Sequence, residues 1–258
     1  MIDIHTHILP GLDDGAETWD YAIRMARAAA AEGVTDLIAT PHHGIYTNHA
    51  SAVLERTALL NERLRAEGVP LVVHAGQEIR VSGDLLDDWD RGKLLTLAGS
   101  RYMLVEMPHS CVPSGLADLF HELAVMGITP ILAHPERNGE ILLHPEKLDE
   151  LLELGAYAQV TTHSLLGSFG PRVEKLSWHL CRSGKIHFIA SDAHNLLNRD
   201  FRMKEAFDLI GKELGEEWKA YFLDNARRVL ANEELAPAPS EGKAARGMYG
   251  VWRGLSSS

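Results

Sequence analysis

The sequence predicts an α/β fold, a distorted TIM-like (β/α)7 barrel. Seven short apolar segments rich in Val, Ile and Leu are separated by helical patterns, and that alternation builds a parallel sheet. Strands of this composition are expected where both faces are covered. Six of the seven segments end on, or run straight into, a His, Asp or Glu. In α/β barrels the chemistry sits at the C-terminal ends of the strands.

The first strand is read at residues 2–7. Asp3, His5 and His7 alternate along it, so all three point to one side of the strand. Two imidazoles in that relation can hold one ion, with Asp3 orienting a ring from behind. Asp13-Asp14-Gly15 follows as a turn, with Asp14 a candidate ligand, and a helix is expected over 18–32. The second strand, 34–42, ends in Thr40-Pro41-His42-His43. Its proline forbids simple continuation and presents His42 at the rim, while His43 reads as solvent-facing.

After a helix over 50–67, the third strand, 71–78, ends in Gly76-Gln77-Glu78. The fourth, 102–106, ends in Glu106. An apolar core would reject either carboxylate unpaired, so both suit a bridging role between ions. The competing reading is an ion pair with an arginine such as Arg80.

A helix over 116–126 leads to the fifth strand, 129–134, which closes on His134-Pro135-Glu136-Arg137. The Arg137 guanidinium suits a planar oxyanion. Beyond a helix over 145–154, the sixth strand, 156–162, ends without a strong ligand. A helix over 172–183 precedes the seventh strand, 186–194, which carries Asp192 and His194 two residues apart. Barrel closure would set this pair beside His5 and His7. Helices over 203–214 and 216–230 complete a globular unit of residues 1–235. From Ala236 the composition turns to Pro, Ala, Ser and Gly, too poor in apolar surface to order itself, so 236–258 is read as a flexible C-terminal tail.

At 258 residues and 45% hydrophobic composition, the chain can bury one large core without a second domain. The formal net charge of −11 argues against nucleic acid, whose binders carry basic faces. Two cysteines, Cys111 and Cys181, suggest no disulfide framework and fit a reducing compartment. The first strand begins at Ile2, leaving no room for a leader, and there is no apolar run of about eighteen residues. A cytoplasmic protein with no membrane span is expected.

His5, His7, Asp14, His42, Glu78, Glu106, His134, Asp192 and His194 are the candidate ligands. They are too many for one ion and suit about three. Imidazole and carboxylate without thiolate favour manganese, iron or zinc over calcium. His109 and His163 also follow strand ends and could reach a substrate at the rim. Neither cysteine has an arginine six residues on, since Ala117 and His187 stand there, which excludes thiol-phosphate chemistry of the Cys-x5-Arg type.

Through Asp3-Ile-His5-x-His7, Pro41-His42, Gly76-x-Glu78, Glu106, His134-Pro-Glu-Arg137 and Ser191-Asp192-x-His194, the chain resembles the PHP (polymerase and histidinol phosphatase) superfamily. Its opening Met-Ile-Asp-Ile-His-Thr-His-Ile-Leu-Pro, the Asp13-Asp14-Gly15 turn and the stretches 164–170 and 190–195 are similar to the manganese-dependent protein-tyrosine phosphatases of Gram-positive capsule and exopolysaccharide operons. The resemblance implies a distorted seven-stranded barrel with three metal ions, Mn2+ in this family. His5, His7, Glu78 and Asp192 would hold one ion, Glu78, Glu106 and His134 a second, and Asp14, His42 and His194 a third. The implied substrate is the phosphotyrosine-containing tail of a bacterial tyrosine kinase that regulates polysaccharide synthesis. The reaction expected is metal-assisted hydrolysis of a phosphate monoester, with Arg137 neutralising phosphoryl oxygens and Arg199 as a second clamp. Two other readings share the ligands: a small-molecule phosphatase of the histidinol-phosphate kind, and a metal-loaded regulatory module without catalysis.

Overall fold

A computed structural model describes residues 1–239. Its strands are β1 (Ile2–Thr6), β2 (Asp36–Ala39), β3 (His42–His43), β4 (Val72–Ala75), β5 (Glu78–Arg80), β6 (Tyr102–Glu106), β7 (Thr129–Ala133), β8 (Tyr157–Thr161) and β9 (Phe188–Ala190). The helices are α1 (Trp19–Ala31), α2 (Ala50–Ala66), α3 (Leu85–Asp90), α4 (Leu116–Val125), α5 (Gly139–Leu143), α6 (Glu146–Glu153), α7 (Thr162–Leu165), α8 (Pro171–Arg182), α9 (Met203–Leu214) and α10 (Glu216–Ala231). All strand pairings are parallel, in one sheet ordered β1-β2-β4 and a second ordered β3-β5-β6-β7-β8-β9.

Two sheets arise because the expected second and third strands each break. Pro41 has no N–H for the ladder. Thr40 Oγ1 substitutes for the ladder there, accepting from the Thr6 amide at 3.0 Å and donating to the Thr6 carbonyl at 3.2 Å. In the third strand a Cβ on Gly76 would lie 2.9 Å from Ile38 Cγ2. Next to it, buried Gln77 accepts from the Leu95 amide at 2.6 Å and donates to the Asn48 carbonyl at 2.7 Å. After both breaks the strands resume as β3 and β5, in a register that sets His42 opposite Glu78.

The seventh strand is shorter than expected, because Asp192 adopts φ 54° and leaves the extended path. The chain still returns to β1. Thr6 and Ala193 form a parallel bridge, His7 N donates to Ala193 O at 2.9 Å, and Asp192 N donates to His5 O at 2.9 Å.

The expected helices recur to within a residue or two. Thr18 caps α1, its hydroxyl accepting from the Tyr21 amide at 3.2 Å, as an N-cap threonine does. The short helices α3, α5 and α7 follow no apolar periodicity and were not expected.

Apolar side chains form two cores. One lies between helices and strands; the other gathers Ile4, Ile38, Leu104, Ile131 and Phe188 from the strands with Ala226 and Val229 of α10. Burying a side chain of this size contributes about 1.5–3 kcal/mol. α10 closes the end where strands begin, where Tyr102 donates its hydroxyl to Glu233 O at 2.6 Å. The opposite end is left to polar groups. Ala236 N donates to Asn225 Oδ1 at 3.0 Å, and of the tail read at 236–258, residues 240–258 lie outside the described residues.

Candidate metal centre

The nine residues read as ligands all come to the C-terminal ends of the strands. His7, Asp14, His42 and His194 form one group, His5, His7, Glu78 and Asp192 a second, and His42, Glu78 and Glu106 a third, the ligand atoms of each group lying within 4.8 Å of one another. His134 joins through its Nε2, 2.9 Å from Glu78 Oε1. The two period-two pairs meet as expected, with the His7 and His194 rings stacked at 3.8 Å. His134 and Asp192 reach the centre by left-handed backbone, at φ 35° and φ 54°. Non-glycine residues adopt that region at a cost, and such outliers concentrate at functional sites.

Acceptors behind the rings decide which imidazole nitrogen faces inward. His5 Nδ1–H donates to Gln159 Oε1 at 2.9 Å, His7 Nδ1–H to Asp13 Oδ2 at 2.7 Å, and His194 Nδ1–H to the Asp192 carbonyl at 2.9 Å. Each bond commits the Nδ1 proton and turns an Nε2 lone pair toward the centre. The Nε2 atoms of His5 and His7 then lie 3.2 Å apart. Both also stand 3.3 Å from Glu78 Oε2 and 3.3 Å from Asp192 Oδ1. Among the described residues, Glu78 Oε2, Asp192 Oδ1 and His194 Nε2 are buried without a hydrogen-bond partner. Lone pairs converging in a dry site repel unless a cation lies between them. The donor set therefore fits metal ions.

The titration behaviour agrees. Burial opposes a charge on His5 and His7, but Glu78 and Asp192 around His5, and Asp13 beside His7, outweigh it and raise both. Burial likewise opposes charge on Glu78 and Asp192, yet His5 and its neighbours hold both carboxyls well below the usual range. His194, whose Nε2 stands 3.4 Å from Asp14 Oδ1, lowers that carboxyl too. The centre draws positive charge from any source.

At its mouth, Arg137 Nη1 and Arg199 Nη2 each lie 2.6 Å from Asp192 Oδ2. The open cavity above, about 190 Å³, is lined by Asp14, His42, Ile45, Tyr46, His109 and the two arginines among others. His109 thus faces the site. His163 does not: it bonds Ser168 Oγ at 3.0 Å and Asp200 O at 3.0 Å. Glu106 carries the ion pair weighed against its ligand role, with Arg80 Nη1 2.8 Å from its Oε2, and still belongs to the third group.

Asp3 was expected to orient a ring; instead its carboxylate accepts from Ser191 N at 3.0 Å, Ser191 Oγ at 2.5 Å and His5 N at 3.3 Å. It fixes the backbone between the first and last strands. Sequence alone does not single out the residues behind His7 and His5, Asp13 and Gln159. Asp13 stands in the Asp13-Asp14-Gly15 turn, whereas Gln159 lies mid-strand with nothing in its neighbours to mark it. Glu136, likewise not singled out, accepts from Ser164 Oγ at 2.5 Å and Thr161 N at 3.2 Å, pinning the His134–Arg137 turn to the end of β8.

Parallel strands carrying an imidazole and carboxylate centre at their C-terminal ends define a metal-binding α/β protein of the hydrolase scaffold type. Over residues 1–231 the chain matches the family described as capsular polysaccharide synthesis, CpsB/CapC, and belongs to it. It is 43% identical over 254 residues to tyrosine-protein phosphatase YwqE of Bacillus subtilis, across 98% of this chain and 100% of that protein. Tyrosine-protein phosphatase CpsB of Streptococcus pneumoniae is 28% identical over 245 residues, across 90% of this chain and 99% of CpsB. The fold superposes at a TM-score of 0.89 and 43% identity on a chain from a crystallographic study of YwqE and CpsB, described as unique metal-dependent tyrosine phosphatases, covering 94% of this chain and 100% of that one. An organophosphorus hydrolase variant from Deinococcus radiodurans, at TM-score 0.55 and 12% identity over 89% of this chain and 91% of its own, shares the fold alone.

Proposed function

We propose that this chain is a metal-dependent protein-tyrosine phosphatase that hydrolyses phosphotyrosine on a bacterial tyrosine kinase controlling capsule or exopolysaccharide synthesis. The observation that carries it is the convergence of unpartnered, buried Glu78 Oε2, Asp192 Oδ1 and His194 Nε2 beneath two guanidinium groups. The family's link to capsular polysaccharide and the phosphatases among its members support the substrate.

His5, His7, Glu78 and Asp192, then Glu78, Glu106 and His134, then Asp14, His42 and His194 would hold three ions, manganese by preference, with iron or zinc compatible with the same donors. When bound, the ions supply Lewis acidity and ease deprotonation of water. Asp13 and Gln159 keep the His7 and His5 lone pairs inward. Arg137 and Arg199, drawn to Asp192 Oδ2, turn to the phosphoryl oxygens when substrate enters and offset the charge that builds there. A tyrosine leaving group, of pKa about 10, needs less protonation than an alkoxide, so the open cavity suffices.

The catalytic unit in this reading is residues 1–235, a distorted barrel. Backbone bonds from Asp192 to His5 and from His7 to Ala193 support closure of the ring. Cys111 and Cys181 are both free thiols, which supports a reducing, cytoplasmic location, and no described helix is long and apolar enough to cross a membrane.

The test is phosphate release from a phosphotyrosine peptide by manganese-loaded protein, with and without EDTA, beside histidinol phosphate. Release from the peptide that exceeds release from histidinol phosphate and stops with EDTA is expected. A metal-loaded protein that leaves the peptide intact would refute the reading.

A further inference from the structure

Two part-exposed aromatic rings touch residues of the site. Tyr46, 36% exposed, lies parallel to the candidate ligand His42, with ring centroids 6.0 Å apart and planes 12° apart. Phe169, 37% exposed, lies under the Arg137 guanidinium, whose Cζ is 4.7 Å from the ring centroid. Tyr46 lines the cavity itself, and Phe169 reaches it through Arg137, which lines the same cavity. Ile45, 60% exposed, extends the Tyr46 side and lines the same cavity.

We propose that Tyr46 and Phe169 form an aromatic slot that receives the aryl ring of the substrate and sets a preference for aryl over alkyl phosphates. The inference rests on the phosphotyrosine reading above and names the residues that would make the site selective. A phosphoryl group held by Arg137 and Arg199 places its ester oxygen at the cavity mouth. A planar ring attached there would lie along Tyr46, which lines the cavity, and reach the exposed part of Phe169 beside Arg137, while an alkyl chain gains little from either. Phe169 also packs against the guanidinium of Arg137, which couples the position of the arginine to the ring.

The experiment uses binding, so that it does not depend on turnover. The manganese-loaded full-length protein is titrated calorimetrically with phenylphosphonate and with methylphosphonate. Wild-type protein should bind the phenyl compound more tightly. Tyr46→Ala and Phe169→Ala should each weaken phenylphosphonate roughly three- to tenfold, the scale of one aromatic contact, and leave methylphosphonate unchanged. Tyr46→Phe should keep the preference. Equal affinity for the two ligands in the wild type would overturn the proposal, as would equal losses for both in Phe169→Ala, which mark a prop for Arg137 and nothing more. An aryl preference in a protein that leaves a phosphotyrosine peptide intact would sink the phosphatase reading and keep the slot. Turnover of that peptide without an aryl preference would do the reverse.

Discussion

Asp13 Oδ2 accepts the Nδ1 proton of His7 at 2.7 Å and the amide proton of His42 at 3.0 Å. One buried carboxylate thereby fixes the tautomer of one candidate ligand and the backbone of another. Groups that orient a ligating imidazole contribute about 10- to 100-fold in metal affinity. Asp13→Ala should weaken manganese binding by that factor and leave the helical circular dichroism intact. Unchanged affinity in a metal titration would remove Asp13 from the centre.

Gly15 holds its place by proximity. A Cβ there would lie 2.0 Å from the His7 carbonyl oxygen and 2.6 Å from His7 Cβ. Gly15→Ala must push the loop away from β1 and pull Asp13 off His7. The cost should be about 1–3 kcal/mol, as for overpacking elsewhere, read as a lower urea midpoint, together with weaker manganese binding. A variant with wild-type stability would mean that the loop yields freely.

Arg137 and Arg199 both reach Asp192 Oδ2, but only Arg137 is backed by a ring. Arg137→Ala should lower kcat/KM for a phosphotyrosine peptide by about 10²- to 10³-fold, the loss seen when one donor to a developing oxyanion is removed. Metal content, measured by elemental analysis, should stay at the wild-type ratio. Loss of metal together with activity would make Arg137 a support for Asp192 instead.

His187 is a pH-sensitive group far from the centre. Its Nδ1 accepts the Ala158 amide proton at 3.2 Å, and burial lowers its pKa from 6.5 to about 4. Above pH 6.5 the ring is neutral in folded and unfolded chains and contributes no pH dependence. Between 6.5 and about 4 the unfolded chain takes up a proton that the folded chain refuses, so stability falls as pH falls. The full difference is worth at most about 3 kcal/mol, and the residue's partial exposure reduces it to about 1–2 kcal/mol. Urea unfolding at pH 7.5 and 5 should show a smaller acid loss for His187→Asn than for wild type. Equal losses would place the titration elsewhere.

The helices and most strands were legible because their signals are local. Period-two spacing of Asp3, His5 and His7 and apolar runs ending on Glu106 and His134 lie within a few residues of what they determine. The breaks at Thr40-Pro41 and Gly76-Gln77 were less legible. They depend on Thr40 replacing a ladder bond to Thr6 and on Gly76 packing against Ile38. The seventh strand was read too long for a similar reason, since nothing near Asp192 announces its positive φ.

From its sequence alone this chain determined which residue types stand at the strand ends, and so which chemistry could gather there. Tertiary structure decided how they are aimed. His5 is oriented by Gln159, 154 residues away, and Asp3 binds Ser191, 188 residues away. A hydrogen bond selects an imidazole nitrogen only when its acceptor is within about 3 Å, and only the folded chain brings acceptors from such distant segments that close.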